Sequence, residues 1–220
     1  EVEDSTGVVT KHIKTTDSDY SEDGWDFIFG SSSLDSIAPD GRNRITFDRS
    51  RGAFRAGKAS GTHWDDTLRG EGSVAFGSDN VASGSHSGSL GGKNNSNSGD
   101  MSVIAGGEWN YILQNTDQDT ANFLGGGSLN KIDGGKFNFI GGGSENLIGE
   151  YNIGCAIVSG GSNPSGMGTL NSIGEESSFS FIGGGSSNTM EESNLAANIV
   201  GGWGNFICNS DSYSSIVGGV

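Results

Sequence analysis

The chain has 220 residues, with 40 Gly, 2 Pro, 2 Cys and a formal charge of −15. With 34 Ser and 19 Asn added, this composition leaves a disordered chain, a collagen-like chain or a repetitive β structure. Collagen is excluded because Gly is not every third residue and Pro is nearly absent. A membrane-spanning helix is excluded because no run of ~18 apolar residues exists, and a nucleic-acid partner by a pI near 4.3, at which phosphate is repelled.

In chain order, residues 1–70 stand apart. Nine of the twelve Lys and Arg lie there, among them Arg42, Arg44, Arg49, Arg51, Arg55 and Arg69. Residues 26–30 (DFIFG) predict a short strand. Ile45-Thr46-Phe47 and Ala53-Phe54-Arg55-Ala56, alternating around Asp48-Arg49-Ser50-Arg51-Gly52, predict a hairpin. The segment is expected to be a small N-terminal β cap or connector that protects the first repeat from edge pairing, with its Arg residues paired to acidic neighbours.

Residues 71–220 repeat. With Val74, Gly88, Ile104, Leu124, Ile140, Ile157, Ile182, Ile199 and Ile216 as position zero, Gly follows three residues later as Gly77, Gly91, Gly107, Gly127, Gly143, Gly160, Gly185, Gly202 and Gly219. Six residues after zero stands Asn: Asn80, Asn94, Asn110, Asn130, Asn146, Asn188 and Asn205. Two residues beyond the Asn there is often Ile, as at Ile112, Ile132, Ile148 and Ile207. The spacings of 14, 16, 20, 16, 17, 25, 17 and 17 residues are too short for helical repeats or propeller blades and suit one coil of a β-solenoid. Gly supplies the positive φ of each corner. Asn tolerates a left-handed conformation and can bond to the Asn one coil above. Ile at zero and again eight residues on predicts two short strands per coil, stacked into two facing sheets.

The 25-residue coil keeps register if Asn171-Ser172-Ile173 is its Asn-x-Ile element, which puts the eight extra residues between Gly160 and Asn171 and makes Asn163 a coincidental match. The 20-residue coil carries its excess in 113–119. Before position zero runs a second apolar column, including Phe123, Phe139 and Phe181, with Met101, Phe137, Phe179 and Tyr213 two residues earlier. Adjacent strand residues point to opposite faces, so Phe139 and Ile140 cannot share one core. The Phe face therefore needs a partner. The expectation is a subunit interface through Phe123, Phe137, Phe139, Phe179 and Phe181 in a homotrimer.

Residues 73–84 (SVAFGSDNVASG) resemble the head repeat of trimeric autotransporter adhesins, the YadA-like left-handed β-roll. Gly52-Ala53-Phe54-Arg55-Ala56-Gly57 and Trp64-Asp65-Asp66 resemble a segment that introduces such repeats in bacterial surface proteins and phage tail-fibre-like proteins. The close match covers residues 50–100. It implies a trimer of β-rolls in an extended extracellular fibre that attaches to a surface. From Ile104 the coils are longer and carry Gly pairs and Phe columns, a departure from the head repeat that keeps the solenoid class.

Chemistry is sparse. His12, His63 and His86 do not recur on the repeat, so no His-Ser-Asp relay is expected. Asp65-Asp66, Glu175-Glu176 and Glu191-Glu192 read as solvated charge rather than glycosidase carboxylates. Asp117 and Asp119 lack a Ca²⁺ ligand spacing. Cys155 and Cys208 occupy different repeat positions and are expected to be buried thiols, not a bridge. No catalytic, metal or cofactor site is expected. Ice binding would want a Thr ladder, which the repeats do not carry. The favoured function is a non-catalytic structural segment of an extracellular trimeric fibre or adhesin; the alternative is a tail-fibre shaft that binds or depolymerises glycans. The sequence ends inside a coil, which suggests that host-cell or surface glycan or protein contacts lie in regions beyond Val220.

Overall fold

The computed structural model describes residues 43–161 and 170–219, together with the backbone of strands Val2–Glu3, Val9–Thr10 and Phe27–Phe29. It is an all-β solenoid. Parallel strands, one from each coil, build one sheet through Ile104, Leu124, Ile140, Ile157, Ile182, Ile199 and Ile216. A second sheet runs through Ile112, Ile132, Ile148, Ile173, Met190 and Ile207. The two columns face each other and form a single core, in which almost every member is fully buried. Each coil thus hides two large aliphatic side chains, each contributing about 1.5–3 kcal/mol relative to exposure.

A 16-residue coil is two similar halves. Leu129-Asn130-Lys131-Ile132 and Phe137-Asn138-Phe139-Ile140 each place a left-handed residue, φ 59° and 57°, before a buried Asn, an outward residue and a buried Ile. Single-residue bridges, such as Ser128↔Ser144 and Thr120↔Lys136, carry the ladder across the corners. Corner glycines stack so closely that a side chain cannot fit: a Cβ on Gly127 would sit 1.9 Å from the carbonyl oxygen of Gly143.

Buried Asn side chains continue the hydrogen bonding where the strands stop. The backbone N–H of Asn110 donates to Asn95 Oδ1 at 3.0 Å, that of Asn130 to Asn110 Oδ1 at 3.1 Å, and that of Asn146 to Asn130 Oδ1 at 3.0 Å. Each amide nitrogen in turn donates to corner carbonyls, as Asn130 does to Gly126 and Gly143, both at 2.9 Å. These side chains satisfy backbone groups that the turn would otherwise bury unpaired.

Two register assignments need correction. The glycine ladder passes through Gly92, on which a Cβ at Gly77 would collide, and the Asn ladder through Asn95, not through Gly91 and Asn94. Gly88 pairs with Val103 and Ser89 with Ile104, so position zero of that coil is Ser89; in the coil before it, buried Ala75 pairs with Ser89, not Val74. Doublets Gly91-Gly92 and Asn94-Asn95 fit the spacing either way, and only bonding between coils selects one. Asn94 instead takes the left-handed corner at φ 55°. In the longest coil Asn171 holds the ladder place, bonded to Asn146 and Asn188. The extra segment, 162–169, lies outside the described residues.

Half of the 1–70 segment also lies outside them. Within its described part, Asn43–Asp48 and Ala53–Lys58 form the expected antiparallel hairpin, and Ala53–Lys58 pairs in parallel with Val74–Ser78 of the first coil. Phe54 and Phe76 meet edge to face at 5.7 Å across this junction. The Arg residues divide into two kinds. Arg51 grips Asp66 with two bonds, and Arg69 donates to Asp48 Oδ2 at 2.8 Å. Arg55 is fully buried and instead donates to the carbonyls of Ser73 and Ala82 and to Ser73 Oγ. Burial and the neighbouring Arg69 lower its pKa to about 10, against a smaller opposing pull from Asp48.

Candidate interaction surface

The twelve-stranded sheet turns its Ile side chains inward, so alternate residues face out. Successive coils present Met101/Val103/Ala105, Ala121/Phe123/Gly125, Phe137/Phe139/Gly141, Gly154/Ala156/Val158, Phe179/Phe181/Gly183, Ala196/Asn198/Val200 and Tyr213/Ser215/Val217. None of these positions is charged, on a chain of which 18% of residues are. Phe123 and Phe139 stack in parallel, 5.6 Å apart and 8° from coplanar. Of the five Phe residues expected at an interface, Phe123, Phe137, Phe139 and Phe179 are exposed on the single chain, the most open being Phe179 at 64%. Phe181 is half-buried. All five lie on this one face.

The corner column beside the face is left-handed. Met101, Phe137, Phe179 and Tyr213 adopt φ between 50° and 61°, a left-handed conformation that costs a bulky residue roughly 1–2 kcal/mol. Gly or Asn would avoid that cost, and the side chains are at least 60% exposed, so burial within the chain does not offset it. The same conformation recurs at other corners, at Trp109 (φ 57°), Leu129 (59°) and Tyr151 (56°), so it belongs to the coil and not to this face alone.

The opposite sheet carries a shallower groove of about 320 Å³ near Leu147, Ser172, Thr189 and Glu191. Two of its four carboxylates are engaged locally: Glu191 accepts the Asn209 N–H at 3.2 Å, and Asp133 pairs with Lys131. Gly149 and Gly174 on its wall are explained by the next coil, since a Cβ on Gly174 would lie 2.7 Å from Glu191 backbone.

Other candidates resolve into structure. Asp119 is buried and its carboxylate accepts the N–H groups of Asn115, Thr116 and Gly135 at 2.7–2.8 Å, closing the 113–119 bulge. Among the described residues no group of three or more His, Cys, Asp or Glu is placed to hold a metal ion. His63 Nδ1 lies 3.5 Å from Asp79, and His86 is an exposed corner residue; His12 is outside the described residues. Both cysteines are free thiols. Burial pushes Cys155 up to about 11. Cys208 is exposed, a correction to the expectation that both are buried: it lies two residues beyond outward-facing Phe206, hence on the outer side of its strand.

Sequence reasoning missed the second polar ladder, Ser102-Asn122-Asn138-Cys155, in which each side-chain oxygen accepts the next coil's N–H. A third runs through Asn152, Ser177, Asn194 and Asp211. The signal was present in Asn138-Phe139-Ile140, which repeats the Asn-x-Ile of Asn130-Lys131-Ile132. Among the described residues no helix is long and apolar enough to cross a membrane. No family model, curated protein or solved structure matches the chain, so the likeness of residues 50–100 to adhesin head repeats rests on those residues alone.

Proposed function

We propose that this chain is a non-catalytic structural segment of an extracellular fibre or adhesin, assembled as a trimer through the charge-free face of the twelve-stranded sheet, with glycan or protein recognition supplied by other regions. The hairpin 43–58 serves as its N-terminal cap. The observation that carries the reading is the contrast between an uncharged aromatic face and a chain of net charge −15. Exposed apolar patches beyond a few hundred Å² mark contact surfaces. Two acidic chains approach most easily where neither is charged. Continuous backbone bonding and a shared Ile core make the coil stack a stiff spacer, which is what a projecting fibre requires.

The mass of the particle in solution tests it. Sedimentation equilibrium should give three times 22.6 kDa. Phe139→Asp should reduce it to a single chain, because a charge in a dry interface costs several kcal/mol. A wild-type particle of 22.6 kDa, or a Phe139→Asp variant that assembles as well as wild type, would overturn the proposal.

A further inference from the structure

The outward positions on each strand compensate one another in volume. Two residues apart stand Gly88 and Leu90, Val103 and Ala105, Phe123 and Gly125, Phe139 and Gly141, Ala156 and Val158, Phe181 and Gly183, Asn198 and Val200, Ser215 and Val217. From Gly88 onward the bulkier partner sits beside a smaller one; the first coil, with Val74 and Phe76 both outward, is the exception, and there Phe76 packs on Phe54 of the hairpin. Where the first is Phe the second is Gly, and where the first is small the second is Leu or Val. The larger group occupies its partner's space: a Cβ on Gly141 would meet the Phe139 ring at 3.2 Å, one on Gly183 the Phe181 ring at 3.3 Å, and one on Gly88 the Leu90 side chain at 3.2 Å. The corner column alternates along the stack as Met101, Ala121, Phe137, Gly154, Phe179, Ala196, Tyr213. The Phe179 ring leans back over the small residue one coil earlier, for a Cβ on Gly154 would lie 3.0 Å from it.

A face washed by water has no use for constant height, since water fills any step. A rigid, close-packed neighbour does, because a mismatch of one methylene group leaves a void or a clash. We propose that this face is levelled to pack against the same face of other copies of the chain around a shared axis, and that Asn198 sets which coil meets which. This rests on the self-association reading and adds the partner's geometry. The occupant is a second copy because the face is neutral and the rest of the repeats acidic: with three Lys and no Arg beyond residue 70, no other surface of the repeats complements it better. Seven coils at ~4.8 Å and five residues at ~3.3 Å give a projected area of roughly 550 Å², enough for a contact surface.

Asn198 and Ser215 are the polar positions on the face. Asn198 bonds through its amide nitrogen to the Ala196 carbonyl at 3.1 Å, which leaves the oxygen to be satisfied. Copies running parallel and level place Asn198 beside Asn198, where amides can pair. Antiparallel copies centred on Ala156 would place it against Phe123 and bury an amide without a partner, an expensive arrangement. A lone polar residue in an apolar seam fixes register in the same way in coiled coils.

Two sets of variants test this. Ala156→Phe adds a ring where Val158 already fills the space, and should weaken association by about tenfold or more. Ala156→Phe with Val158→Gly recreates the Phe139/Gly141 pattern and should restore it. In a Cys208→Ser background, Val103→Cys and Ser215→Cys, on the same column as Asn198, should each form disulfides between like positions on oxidation. Mixtures of the two should give no 103-to-215 link, until Asn198→Val removes the register element. Thermal melts before and after confirm folding of every variant. A multimer indifferent to Ala156→Phe, or one with 103-to-215 links in the presence of Asn198, overturns this packing while leaving self-association standing. A wild-type particle of 22.6 kDa overturns both.

Discussion

The first two coils and the later ones solve the same packing problem with different chemistry. From Ile104 onward, coils of 16 residues or more oppose two large aliphatic side chains across the core. In the coils before it, Ala75, Ala82, Ser89 and Asn97 fill the equivalent places. Shorter coils leave less room between the sheets, and part of that core is polar: Ser89 Oγ donates to the Val81 carbonyl at 2.6 Å, and the Asn97 amide to the carbonyls of Gly88 and Ser102. The N-terminal end makes up its apolar deficit with fixed charges and one large ring. Trp64 is buried, bonds to the Asn80 carbonyl at 3.1 Å and lies under the Arg44 guanidinium, 5.0 Å away. Arg69 and Asp48 pair at 6% and 2% exposure. A coil with neighbours on both sides can copy their hydrogen bonds. The first coil cannot, and there the Arg55 guanidinium supplies donors to the carbonyls of Ser73 and Ala82.

That contrast can be broken at either end. The largest effect is expected from Arg69→Met, which strands the buried Asp48 carboxylate and should cost about 3–5 kcal/mol. Hydrogen exchange should report the loss around residues 43–82 and leave the coils beyond Ile140 protected, since stability in a repeat stack is local. Uniform loss along the chain would show that the two regions are one cooperative unit. Ile140→Ala opens a cavity between Leu124 and Ile157 in the ladder and should cost about 2–5 kcal/mol, read as faster exchange in the flanking coils. Asn130→Ala leaves the Asn146 N–H without its acceptor and should cost about 1–3 kcal/mol. If it costs nothing, the ladder is ornamental.

Acid should give the smallest effect, read at the N-terminal end. For Asp79 burial alone would raise the carboxyl pKa, but hydrogen bonds from the Ser60 N–H and hydroxyl, with His63 nearby, outweigh it and the value is lowered. The Arg51 hydrogen bond lowers Asp66 as well. A carboxylate with a lowered folded pKa adds stability that is complete above its unfolded value, near 3.9, and is lost as pH falls through the folded value. Melting of the N-terminal unit should therefore fall below about pH 4, and Asp79→Asn should flatten that dependence.

The repeat of Gly, Asn and Ile was legible because each coil must place the same chemistry at the same depth: no side chain at the tight corner, an amide where the ladder needs acceptors, an aliphatic group in the core. Ile140, Asn130 and Gly127 declare those roles from spacing alone. The hairpin was legible for a related reason, the alternation of Ile45 and Phe47 with Arg44 and Thr46. Where neighbours in sequence are chemically alike, spacing says nothing. Gly91 and Gly92, or Asn94 and Asn95, are told apart only by which one meets the coil above, at a separation of 14 to 16 residues. The same holds for Asp119, whose carboxylate closes a bulge through Gly135 in the next coil, and for Arg55, whose partners include carbonyls 18 and 27 residues away. Sequence by itself determined the coil and its core, because burial repeats with the chain. Tertiary structure decided the register and the second polar ladder, because each depends on what the neighbouring coil presents.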